Sequence, residues 1–476
     1  MRSALPAMLI FVSACASHPS LASTTPVVPP TPPVVPAAPK AVQEEVPPPS
    51  EAPGLVRSLA DEVGPRQAGS PGQALAEAWA VRTMHNMGFA NVHTEPVRVH
   101  HWERGISVAE LAAPVRRPLA VAALGNSVAT PPEGIDAEVV DVPSLDALAA
   151  LPDAAVRGKV VYVHQVMQRT ETGAGYSEAF GVREYGASAA GRKGAVAYLL
   201  RSIGTDNTRA PHAGALVYAP NAPRIPAAAV STADGDSLHR LATAATAASP
   251  VRVHLVLGCR TLPEVDGANV IGEVPGTGLA DEIVLLGAHL DSWDLGMGAL
   301  DDGAGVAIVL ASARRVMQSR PPRRTVRVVL FADEESGQPG ARAYVREHRD
   351  ELPRHVVAIE ADSGDGRVRV VRYAGTPSGA RVFERAAGLA RPYGVRWSDA
   401  AVRGGWDVEH LGTAGVPLAA LRQDMSRYFD YHHTANDTPA VLDDEALNQV
   451  VAVWSLVVGE LASASEDLGR ATGGAR

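Results

Sequence analysis

The chain is nearly without cysteine. Only Cys15 and Cys259 occur among 476 residues, which excludes a small disulfide-stapled scaffold. If Cys15 is used elsewhere, as argued below, no intrachain disulfide can form, and Cys259 reads as a buried thiol behaving as a small apolar residue. Long basic runs are missing too. With 43 Lys and Arg against 52 Asp and Glu, the formal net charge is −9, which argues against nucleic acid as a main partner. The short cluster RPPRR from Arg320 to Arg324 reads as a solvated turn between a helix and a strand, not as a phosphate site. What remains is an ordinary globular composition, 20% charged, in a chain too long for one core. Two folded units with extensions are expected.

The N-terminus, MRSALPAMLIFVSACASHPS, starts with Arg2, continues with an apolar run from Ala4 to Val12 and reaches small residues before Cys15. That is the order of an export signal, and the run is too short to span a bilayer. VSAC resembles a bacterial lipobox, which implies residues 1–15 as signal peptide and lipid on Cys15 of the mature chain; a soluble secreted protein cut nearby is the alternative. Ala16 after the cysteine points to an outer-membrane anchor facing the periplasm. Residues 16–54 are so rich in proline that an extended, unfolded tether is expected.

From Leu55 the pattern turns helical through PGQALAEAWAVRTMHNMGF, followed by the strand VHTEPVRVHHW. Between about residues 119 and 257 the texture changes to short strands and helices joined by Gly and Pro turns, with no dense carboxylate cluster, as in GKVVYVHQV and GAVAYLLRSIG. This reads as an inserted, smaller unit splitting a first domain into residues 55–118 and 258–464, with residues 465–476 as a disordered tail. After residue 258 strand and helix alternate regularly: EIVLLGAHL, AGVAIVLASARRVMQ, TVRVVLFA, ARAYVREHRDEL, VVAIEA. Continuous apolar strands separated by amphipathic helices predict a three-layer α/β/α domain around a mixed, mainly parallel sheet.

The acidic residues sit at telling places in that alternation. VLLGAHLDSWDLGMGALDDGAGVAIVLA, from Val284 to Ala311, sets one histidine and four aspartates between two apolar runs. His289 ends one strand, Glu334 and Glu335 follow the next, and Asp362 follows a third. In open α/β sheets the loops at the carboxyl ends of the strands form the binding crevice, so these groups converge. Crowded carboxylates repel one another and raise their own pKa values unless a cation holds them ionised. A metal site is therefore expected.

The stretches GAHLDSWDLGMGALDDGAG, FADEESGQPGARAYV, EADSG and YFDYHHTANDTP resemble, in order, the metal and catalytic motifs of the M28 zinc peptidases. The spellings HLDSWD and GALDDGAG are similar to those of the carboxypeptidase Q branch. The resemblance runs from about residue 55 to 462 and implies a protease-associated domain for the insert. It further implies two Zn²⁺ per chain: His289 and Asp362 on one, Glu335 and His433 on the other, Asp301 bridging. Glu334 would be general base and Asp291 would orient the His289 imidazole. Two zinc ions against three ligand carboxylates and a bridging hydroxide sum to zero charge, and imidazole and carboxylate suit zinc; cobalt or manganese could occupy such a site in vitro.

Rivals exist at several positions. Asp302 competes with Asp301 for the bridge, but the family pattern favours Asp301, with Asp302 bonding to local backbone and the peptide between them often cis. His432 competes with His433, yet the family's His-Thr pattern starts at His433. The pair His100 and His101 is not assigned to metal, nor are Tyr428, Tyr431 and Trp406 given roles. The activity implied is a metallo-exopeptidase or dipeptidase acting on short peptides through a metal-bridged hydroxide. A broader aminopeptidase and a non-catalytic peptide-binding lipoprotein remain the alternatives. The branch suggests a homodimer.

Overall fold

A computed structural model describes residues 44–319 and 321–469. The signal segment, Cys15, most of the proline-rich stretch and the end of the tail lie outside the described residues.

The first sheet has eight strands. Its spatial order is Ala90–Glu103, Arg260–Val274, Arg324–Phe331, Leu279–His289, His355–Glu360, Leu418–Gln423, Val368–Ala374 and Arg396–Trp397. The four strands from Arg324–Phe331 to Leu418–Gln423 are mutually parallel, and antiparallel pairings flank them. The parallel strands are apolar on both faces because helices cover both. On one side Val284, Leu286 and Val328 pack against helices Ala304–Ser319 and Asp444–Ser463. On the other, Leu285, Val329 and Phe331 meet Ala341, Tyr344, Val408 and Leu411. The expected three-layer domain is present. Helix Asp444–Ser463 is long and apolar enough to cross a membrane by composition, but here its Leu447, Val450, Trp454 and Leu461 are buried core.

A second eight-stranded sheet gathers the strands between Ser107–Ala113 and Arg252–Leu257. Its ladder starts earlier than residue 119, since Ser107 already pairs with Leu257 while Glu103 still pairs with Arg260 in the first sheet. Sequence texture missed this because Ser107–Ala113 alternates like the strand before it. The chain passes between the sheets at Gly105 and Gly258. Gly105 has φ +60°, and a Cβ there would stand 2.4 Å from the Gly258 carbonyl oxygen, so only glycine fits the crossing.

Three expectations need correction. Residues 44–54, read as the end of an unfolded tether, lie on the body: Glu44 pairs with Arg369 at 2.7 Å, Ser50 bonds Asn448, and a helix starts at Ala52 with Pro53 in its first turn. Proline lacks a donor but its carbonyl still accepts, as Pro49 does from Arg315 at 2.5 Å. The tail is ordered through its start, with Leu468 1% exposed. Arg324 of the basic cluster is buried, not solvated; it donates to the carbonyls of Leu461, Ala464 and Glu466, which end the last helix, and pairs with Glu282 at 2.6 Å. Charge count along the sequence does not reveal that a cation has carbonyls waiting for it. Cys259 is buried as expected, and burial pushes its thiol up to about 11.

Candidate metal centre

The parallel strands deliver their residues to one edge. His289 is the last residue of its strand, Glu334 and Glu335 open a short turn of helix after Phe331, Asp362 follows Glu360, and His433 lies in the segment after Gln423. Asp301 comes from the loop between His289 and helix Ala304–Ser319. All five expected ligands meet. His289 Nε2 lies 3.2 Å from Asp301 Oδ1 and 3.8 Å from Asp362 Oδ1. His433 Nε2 lies 3.2 Å from Asp301 Oδ2 and 3.0 Å from Glu335 Oε2. Asp301 thus presents one oxygen to each of two donor sets. Donors about 2.0–2.2 Å from a tetrahedral ion stand roughly 3.3–3.6 Å apart, so the spacing fits. Asp301 Oδ2 and Glu335 Oε1 are also buried without a hydrogen-bond partner, a costly state that a cation would relieve.

Electrostatics agree with the donor set. Burial alone would raise the Asp301 carboxyl, but the neighbouring imidazoles of His289 and His433 outweigh it and hold Asp301 well below its ordinary value. Burial raises Glu334 well above the usual carboxylate range, with Glu335 and Asp362 adding to the effect.

The rivals differ in their contacts. Asp302 is occupied by backbone, accepting from His289 N at 3.1 Å and Gly305 N at 3.0 Å, and the Asp301–Asp302 peptide is cis. His432 stacks on His433 at 3.6 Å between centroids, with its Nε2 at 3.6 Å from Asp301 Oδ2. It is near the site but farther from the donors than His433. His433 has φ +62°, a left-handed conformation uncommon outside glycine, and both histidines line the cleft. His100 bonds Asp333 through both its backbone N–H and Nδ1, at 2.7 and 2.8 Å. Asp291 does more than expected: its backbone carbonyl faces His289 Nδ1 at 3.2 Å, while its carboxylate accepts from the backbone N–H groups of Glu334 and Glu335.

Four supporting residues were not foreseen. Arg66, fully buried, donates to the carbonyls of Leu290, Met297 and Gly298 and so pins the loop after His289. Asp437 accepts from Leu300 N and Asp301 N at 2.7 and 3.2 Å; it belongs to the HTANDTP stretch, which was the available signal. Trp293 Nε1 donates to Glu335 Oε2 at 2.6 Å. Arg183 reaches the site from the insert, where no motif marked it. The ligands open into a cleft of about 330 Å³ walled by Tyr176, Phe180, Trp406, Tyr428 and Phe429. Tyr176 and Phe180 come from helix Ala174–Arg192, so the insert closes one side of the site.

A mixed α/β/α sheet whose strand ends carry this His, Asp and Glu set defines a metallopeptidase framework. Residues 269–458 match peptidase family M28. The chain belongs to that family and is a zinc-dependent metallopeptidase. It is 35% identical to mouse carboxypeptidase Q over 87% of this chain and 86% of that protein. It is 34% identical to human carboxypeptidase Q over 87% of this chain and 85% of that one. Among solved structures, a peptidase M28 precursor from Shewanella amazonensis SB2B is 42% identical with a TM-score of 0.85, covering 87% of this chain and 93% of that one.

Proposed function

We propose that the protein is a two-zinc exopeptidase for short peptides, with His289, Asp362 and Asp301 holding one ion and His433, Glu335 and Asp301 the other. The observation that carries this reading is the division of Asp301 between two donor sets, Oδ1 toward His289 and Oδ2 toward His433 at 3.2 Å each. When bound, such a pair of ions would acidify a water and polarise the scissile carbonyl. Glu334 lines the cleft beside the ligand Glu335, and its Oε1 is held by Gln338 Nε2 at 3.2 Å. It would take the proton of the attacking water and pass it to the leaving amine. A cleft of about 330 Å³ suits a peptide of few residues. The export pattern ending at Cys15 supports a lipid-anchored enzyme facing the periplasm.

The test compares the chain lacking its first 43 residues with its Glu334→Gln variant, measuring bound zinc and dipeptide hydrolysis. About two zinc per chain in both, with hydrolysis reduced by at least ~10²-fold in the variant, is expected for a missing general base. Equal activity in both would remove Glu334 from the mechanism. Bound metal without hydrolysis of any peptide would favour a binding protein.

A further inference from the structure

Asp141 gathers two imidazoles. His164 Nδ1 lies 2.6 Å from its Oδ1 and His239 Nδ1 lies 2.7 Å from its Oδ2, and the two rings stack with centroids 3.8 Å apart. All three residues belong to the insert, and none of them lines the cleft of the metal centre. Their placement repeats the logic of that centre. Strands Ile135–Val142 and Val160–Val163 are adjacent and parallel, with Asp141 opposite Tyr162. His164 directly follows the second strand, and since side chains alternate along a strand it shares the face of Tyr162 and Asp141. Helix Thr232–Ala244 covers that face, with Leu238 in the same core cluster as Tyr162, and delivers His239. The carboxyl ends of parallel strands are where α/β sheets build their sites.

We propose that Asp141, His164 and His239 form a separate metal site, for one divalent transition ion of the zinc and copper class, which ties helix Thr232–Ala244 to the ends of the two strands. Two imidazoles and a carboxylate suit such ions, whereas magnesium and calcium take oxygen ligands. One ligating atom from each residue lies within 4.8 Å of the other two. Ligands of a tetrahedral ion stand roughly 3.3–3.6 Å apart, so each imidazole has to withdraw from Asp141 by roughly 0.6–1 Å. The His239 side chain, 40% exposed, has room to do so. Each Nδ1 becomes a ligand once its proton is on Nε2, and among the described residues neither Nε2 bonds to protein, which leaves that nitrogen to solvent. Asp236, one turn before His239, is held by Arg201 at 2.6 Å and stays outside the set, so water completes the coordination. The competing account is a carboxylate satisfied by two hydrogen bonds and nothing more. Against it stands the convergence itself: partly exposed imidazoles can bond water in many rotamers, and fixing two of them on one point costs side-chain entropy that an ion would offset.

The site stands independently of the peptidase reading, and its test is a difference. Wild type, Asp141→Asn, His164→Ala and His239→Ala, matched for melting temperature in chelator, are loaded with zinc, freed of loose metal by gel filtration and analysed for zinc per chain. Wild type should keep one zinc more than each variant; the ions of the catalytic centre are common to all four proteins and cancel. Peptide hydrolysis should be alike in all four. Titration with zinc chloride should weaken in each variant by at least the ~10–100-fold that follows loss of a group orienting a ligand, and zinc should raise the melting temperature of wild type more than that of the variants. Copper(II) added to zinc-loaded wild type should give an electron paramagnetic resonance spectrum with two nitrogen couplings, reduced to one in either histidine variant. The assignment above gives each ion of the catalytic centre a single histidine, so two couplings mark the new site. Equal zinc content and equal titrations across the four proteins would overturn the proposal. A wild-type copper spectrum without two nitrogens would do so even if the variants failed to fold.

Discussion

The carboxylate of Asp291 accepts the backbone N–H of Glu334 at 3.0 Å. Its second oxygen takes the N–H of Glu335 at 3.3 Å, and its own carbonyl faces His289 Nδ1 at 3.2 Å. One residue therefore fixes His289 at the end of one strand and both Glu334 and Glu335 after the next. Asp291→Ala would leave two donors unsatisfied at about 1–3 kcal/mol each and free the turn that aims Glu334. Zinc affinity and kcat/KM should fall roughly 10–100-fold, the usual effect of losing a group that orients ligands. Asp291→Asn keeps one acceptor and should lose less. Zinc titration with kinetics on both variants decides it, and unchanged affinity in the alanine variant would remove the positioning role.

The stacked pair His432 and His433 gives a contrast between neighbours in sequence. His433→Ala removes the nitrogen that meets Asp301 and Glu335 and should bind about one zinc ion fewer, with activity near background. His432→Ala leaves those contacts in place and should keep its metal content, losing rate through the stacking that His432 supplies against the His433 ring. Metal analysis of the two purified variants separates them; equal metal loss would mean that His432 is itself a ligand.

The arrangement of the ligands was legible because strand ends are. Apolar runs locate the parallel strands, and a polar residue directly after each must sit at the same edge, which places His289, Glu335 and Asp362 without coordinates. Asp301 and His433 were reached only through motif resemblance, since each lies in a loop whose path periodicity does not describe. Arg66 and Arg183 were beyond reach. Their partners are 224 and 250 residues away, and an isolated arginine in a helical pattern looks like any solvated one. The same blindness made Arg324 appear exposed and residues 44–54 appear free. In each case the decisive partners are backbone carbonyls or distant side chains, which composition and spacing leave unmarked.

Arg66 should behave as part of the loop it pins. Its guanidinium donates to the carbonyls of Leu290, Met297 and Gly298 at 2.6, 2.8 and 2.8 Å while fully buried. Arg66→Leu leaves those carbonyls unpaired and should destabilise the protein by about 3–5 kcal/mol, the range for breaking a buried charged network. Arg66→Lys keeps the charge but cannot reproduce the fork, so it should recover only part of the loss. Denaturant unfolding of the metal-free proteins measures this directly; a loss below about 1 kcal/mol, the scale of an exposed pair, would mean that the loop holds itself.

Away from the metal, Arg327 anchors a charged cluster on the opposite helical layer. It meets Glu351 at 2.6 Å and Glu273 at 2.7 Å, and His348 bridges Glu351 and Glu95 at 2.8 Å each. Burial works against the Glu351 carboxylate, but the hydrogen bonds and charge of Arg327 outweigh it and lower that carboxyl from 4.5 to about 2. A depressed carboxyl contributes stability that is complete above its unfolded value and is lost as pH falls through the folded one. The Glu351 contribution should therefore be lost between about pH 4.5 and 2. For His348, burial lowers the proton affinity, but the Glu95 and Glu351 carboxylates outweigh it and raise it. Its contribution should be intact below its ordinary value near 6.5 and lost as pH rises through the elevated one. Melting temperature against pH for Glu351→Gln minus wild type isolates the acid limb, because metal-linked changes are common to both proteins. The gap between them should narrow steadily below pH 4.5. A gap independent of pH would show that Glu351 stabilises the protein by packing and not by its charge.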